Sequence, residues 1–103
     1  MKTKFRNRHD QIKYAKFVEI MRRVRRDPAM IHDARDFVTR YMLPDPHQAT
    51  YAGQWLHVLS LPADEIAQLL LADTPEGELL RDTAPPFGRG LTSRDVAEII
   101  SAL

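Results

Sequence analysis

Residues 9–26 read HDQIKYAKFVEIMRRVRR, and their periodicity decides the fold class. At about 100° per residue, Tyr14, Phe17, Val18, Ile20, Met21 and Val24 fall in one arc, as on an amphipathic helix. Lys16, Arg22, Arg23 and Arg26 fall on the other side, with Glu19 among them. Asp27-Pro28 ends this helix, because proline disfavours helical geometry in the residue before it. Asp27 also suits the cap of a second helix with Pro28 at its first position.

The same punctuation recurs downstream. Residues 28–43 place Met30, Ile31, Ala34, Phe37, Val38, Tyr41 and Met42 on one face, and Leu43-Pro44 closes them. Asp45-Pro46 opens a third helix with Ala52, Trp55, Leu56 and Leu59 inward and Tyr51 beside them. Gly53 either weakens that helix or admits a close neighbour. A fourth helix runs from Pro62 to Ala72, carrying Ile66, Leu69 and Leu70. A short fifth is capped by Thr74, carries Leu79 and Leu80, and ends near Asp82. A last helix, about Ser93 to Ala102, has Thr92 and Asp95 at capping-box spacing and Val96, Ile99, Ile100 and Leu103 on its core side. Sustained alternation of the strand type is absent, as are repeats and low-complexity tracts. The expectation is an all-α fold: a compact single domain of five or six short helices with proline-marked turns. Residues 9–103 form that domain, and residues 1–8 precede it as a flexible basic arm.

Length agrees, since 103 residues fit one domain with one modest core. Cysteine is absent, which excludes disulfides, thiolate zinc sites and cysteine nucleophiles and suits a reducing compartment. The longest apolar runs are a few residues, such as Leu69-Leu70-Leu71, against the roughly 20 of a membrane helix. The charged N-terminus lacks the apolar stretch of a secretion signal, so a cytoplasmic location and no membrane partner are expected.

The net charge of +1 conceals a strong segregation. Residues 1–26 hold ten Lys/Arg against Asp10 and Glu19, whereas the remainder holds five against twelve Asp/Glu. Basic side chains on one helix face can neutralise several phosphates together, and a basic arm can follow a groove. Lys4, Arg6, Arg8, Lys16, Arg22, Arg23 and Arg26 are therefore the candidate nucleic-acid contacts. A solvated face is the plain alternative, and such patches also attract acidic proteins. The Pro85-Pro86-Phe87-Gly88-Arg89 loop offers Phe87 and Arg89 as protein contacts, unless Phe87 folds back into the core.

Other chemistry finds little support. Arg26 and His32 have a spacing seen in some RNA-cleaving helical domains, but Asp27-Pro28 breaks the helix between them. His32 and Asp36 share a helix face, yet two ligands are too few for zinc. A helix-turn-helix over residues 62–82 would present an acidic second helix to phosphates. The glycines Gly53, Gly77, Gly88 and Gly90 form no phosphate loop. The expected function is a small non-enzymatic regulator, repressor- or antitoxin-like by architectural analogy. It would bind nucleic acid through the arm and first helix and use its acidic C-terminal part for protein contact. The alternative is a protein-interaction adaptor without a nucleic-acid role. A protein partner or a second copy is compatible with both, and no cofactor or metal is expected.

Overall fold

A computed structural model describes residues 1–103, and it contains helices and no strand. The helices are α1 (Arg8–Arg26), α2 (Ala29–Phe37), α3 (Ala49–Val58), α4 (Ala63–Leu71), α5 (Pro75–Thr83) and α6 (Ser93–Ser101). The Cα radius of gyration, 13.5 Å, matches the roughly 13 Å of a folded chain of this length.

Capping follows the sequence closely. Asn7 starts α1 by accepting from the Asp10 N–H at 2.9 Å. The Asp27 carboxylate accepts from the Ala29 N–H at the head of α2. Thr74 accepts from the Gly77 N–H to start α5, and Thr92 with Asp95 completes a full capping box on α6. Each satisfies an amide that the first turn of a helix leaves without a partner.

Three expectations are corrected. The third helix begins at Ala49 rather than at Asp45-Pro46. Asp45 is spent on a separate turn, in which its carboxylate accepts from His47 N and Gln48 Nε2. The second helix does not stay α-helical, because Val38–Met42 form a π-helical turn closed by Leu43 N–H donating to Val38 O at 2.8 Å. One extra residue in the turn keeps Val38 and Met42 inward and leaves Tyr41 62% exposed, off the inward face. Finally, α6 has no fully buried residue, with Ile100 and Leu103 exposed, so it lies on the flank of the core.

Trp55 is the centre of the core and is fully buried with Met21, Val24, Val38, Ile66, Leu70 and Leu80. Its indole N–H donates to Thr83 Oγ1 at 3.0 Å, which ties α3 to α5. Tyr14, Met21 and Val24 of α1 are buried inside the domain, so the apolar arc of that helix packs within the chain. Arg81 is also buried; its guanidinium donates to the carbonyls of Leu70 and Ala72 at 2.8 and 3.0 Å and lies 5.0 Å from the Tyr14 ring. It thereby satisfies the end of α4, which has no basic residue in its last turn. No buried side-chain nitrogen or oxygen lacks a partner.

Candidate functional site

The candidate basic surface is built on α1, and folding spends most of its charge internally. Arg25 Nε reaches Asp64 on α4 at 3.2 Å, and Arg23 Nη2 reaches Asp95 on α6 at 3.2 Å. Lys13 pairs with Asp82 of α5. Glu19 accepts from Arg22 at 2.5 and 2.8 Å and from Arg23 at 3.1 Å. Both arginines, Arg22 first, hold the Glu19 carboxyl down at about 2. Asp95 is likewise held at about 2, first by the Thr92 N–H and then by Arg23. The carboxylate that caps α6 thus also docks that helix on α1.

Residues 1–8 are expected as a mobile arm; Arg8 instead begins α1, and Lys2 and Phe5 pack back on the domain. Lys2 is buried, its ammonium 3.2 Å from Asp10 and 3.1 Å from Glu78, and its N–H donates to the Tyr14 hydroxyl. The Glu78 hydrogen bond, then that of Asp10, holds its pKa above the ordinary lysine value. Phe5 packs against Tyr14 with ring centroids 5.6 Å apart. Of this segment, Phe5 finds an aromatic ring and Lys2 a pair of carboxylates to receive them, while Lys4 has no ion-pair partner.

Of the seven candidate nucleic-acid contacts, Lys4, Arg8, Lys16 and Arg26 have no ion-pair partner. Arg6 stands 4.0 Å from Asp10 and is largely in solvent. Arg22 and Arg23 are in the pairs already described. Arg8 and Arg26 stand at opposite ends of α1, about 27 Å apart at 1.5 Å per residue. The free cations of α1 are therefore spread along its whole length, and α6 docks on that helix at Arg23.

Phe87 is not available as a contact side chain. It is 2% exposed and stands edge-on to Trp55 at 6.0 Å between centroids. A core this small needs its aromatics, and the turn at Gly88, with φ +67°, folds the loop onto Met30 and Asp33. Arg89, next in the turn, is exposed and unpaired. His32 is exposed and lines no cavity, and no three His, Asp or Glu residues are grouped to hold a metal.

The surface feature that the sequence did not disclose is a groove between α1 and α4. Its larger part, about 430 Å³, is walled by Val18, Ala67, Leu71 and Ala72, with Arg22 and Arg25 at one end. A second hollow of about 210 Å³ continues along α1 past Val18 toward Tyr14 and Gln11, with Leu103 on its far side. Met1 sits on the divide, 81% exposed. The only signal for this in the sequence is that Ala15 and Val18 widen the apolar arc of the first helix beyond what the core covers. Comparison of the chain with protein-family models, with curated proteins and with solved structures finds no match in any of the three.

Proposed function

We propose that this protein is a small non-enzymatic regulatory adaptor that acts by binding another protein. The observation that carries this reading is the fate of the basic charge. Six of the ten early Lys/Arg residues are paired with carboxylates, four of those carboxylates on the acidic remainder of the chain. Phosphate binding needs cations concentrated on one surface and free to displace counterions. An apolar groove with an arginine end, by contrast, resembles the buried centre and polar rim of protein interfaces.

A second reading is favoured by one observation, the four cations left free on α1 and the segment before it: Lys4, Arg8, Lys16 and Arg26. These would supply a weak, sequence-independent nucleic-acid contact.

The test is photo-crosslinking in the native host, with p-benzoylphenylalanine placed in turn at Gln68, Tyr41 and Arg8. Adducts are then digested with nuclease or with protease. The adaptor reading expects a protein adduct from at least one position. An adduct at Arg8 alone that nuclease removes, with no protein adduct anywhere, would overturn it in favour of the second reading.

A further inference from the structure

We infer that α6 is a latch that comes off α1 as one unit, about a hinge at Gly88–Gly90, while the rest of the domain stays folded. This holds whichever partner the protein binds.

The apolar core ends before the latch begins. Every residue of that core, and every partly buried apolar residue packed against it, lies at or before Phe87. Leu91, Val96 and Ile99 are half-buried, yet none of them reaches the core. Undocking α6 therefore withdraws no side chain from it. A segment with so few buried apolar contacts opens at a fraction of the free energy of global unfolding.

Polar linkage is equally thin. From Gly88 to Leu103 the hydrogen bonds stay within the segment: Thr92 with Asp95, Arg94 with Glu98, Ser101 with the Glu98 carbonyl, and the helical ladder itself. One ion pair crosses to the rest of the chain, Asp95 with Arg23 Nη2 at 3.2 Å. Both side chains are partly open to solvent, where such a pair is weak.

The chain before α6 is built to turn. Phe87 is fixed edge-on to Trp55, and the glycines that follow have φ of +67° and +73°. A Cβ on Gly90 would meet nothing within 4 Å, so the backbone there has room to swing. Phe87 is the anchored end of the hinge and Gly90 the free one.

In the docked state the two helices run antiparallel. Asp95 meets Arg23; Glu98, Ile99 and Ala102 border a hollow with Glu19 and Arg22; Leu103 borders another with Ala15 and Val18. Closed, the latch sets Asp95 and Glu98 beside Arg22 and Arg23. Open, it leaves Glu19 alone to answer both arginines. The position of α6 thus decides whether Arg23 has an interhelical partner.

The test is native-state hydrogen exchange of the full chain, followed by NMR through a series of low urea concentrations. A nine-residue helix is marginal alone, so its amides exchange on release. The hydrogen-bonded amides from Val96 to Ala102 should share one opening constant, at least about tenfold larger than those of α3 and α4 and less dependent on urea. Arg23→Gln should raise exchange at all of them together, by about two- to fivefold. Val38→Ala, a core deletion, should speed exchange in α3 and α4 by about tenfold or more and leave α6 unchanged. Ile66→Val, a smaller loss at the same depth, serves as a second core variant. If α6 shares the opening constant and urea dependence of α3 and α4, or quickens with them in the core variants, it leaves only on global unfolding and the inference is overturned. Exchange that quickens residue by residue toward Leu103 and ignores Arg23→Gln is fraying, and overturns it too.

Discussion

The phenol of Tyr14 donates a 2.6 Å hydrogen bond to the carbonyl of Leu71, 57 residues further along the chain. The same oxygen accepts from the Lys2 N–H at 3.2 Å. One hydroxyl thus ties α1, the end of α4 and the N-terminal segment. Tyr14→Phe removes that oxygen and little else, leaving a buried acceptor and a donor without partners. The expected cost is about 1–3 kcal/mol, read as a lower urea midpoint by the fluorescence of Trp55.

Gly77 and Gly53 should respond to alanine with opposite signs. A Cβ on Gly77 would collide with the backbone oxygen of Ala72 and come within 3.1 Å of its carbonyl carbon. At Gly53, an exposed helix position, a Cβ would meet nothing within 4 Å. Gly77→Ala should therefore destabilise, whereas Gly53→Ala should stabilise by up to about 1 kcal/mol through the higher helix propensity of alanine. Thermal melts of the two variants should move in opposite directions, and a shared direction would contradict the geometry.

Acid should loosen the contact between α1 and α6. Asp95 has a folded pKa of about 2, below its ordinary value of about 3.9. A depressed carboxylate contributes stability above the unfolded value and loses it as pH falls through the folded one. Between about pH 4 and pH 2 the unfolded chain binds the extra proton, so stability falls with pH. Glu19, also held at about 2, adds to the same slope. Asp95→Asn should give a flatter profile of urea midpoint against pH over that window. Superimposable slopes for the two proteins would show that Asp95 gains nothing from Thr92 and Arg23.

Two neighbours in one loop should differ sharply. Phe87→Ala empties a space beside Trp55 and should cost about 3–5 kcal/mol. Arg89→Ala should stay within about 0.5 kcal/mol, since Arg89 is exposed and unpaired. Equilibrium unfolding of both variants gives the comparison directly.

Much of the fold was legible because its signals are local. Proline, threonine and aspartate act on their own helix ends, so α1, α4, α5 and α6 begin and end within a residue or two of expectation. The departures arise where a tertiary demand intervenes. The π-helical turn at Val38–Met42 inserts a residue that no periodicity announces. Residues Ile100 and Leu103 show helical spacing, but spacing does not say how much of a peripheral helix the core will cover. The site was less legible still. Charge segregation is plain in the sequence, yet whether Arg23 meets a phosphate or Asp95 depends on where a helix some 70 residues away comes to rest. Arg25 escaped notice for the same reason, because its significance comes from lying beside Asp64 and the walls of the groove.

The pairing of early cations with late carboxylates has a consequence for synthesis. At about 5–20 residues per second, α1 emerges several seconds before Asp82 and Asp95 are made. During that interval Lys13 lacks Asp82 and Arg23 lacks Asp95, and within α1 only Glu19 answers Arg22 and Arg23. Completion of the acidic half then draws them home, so the order in which the chain is written delays closure of its own surface until the last helix arrives.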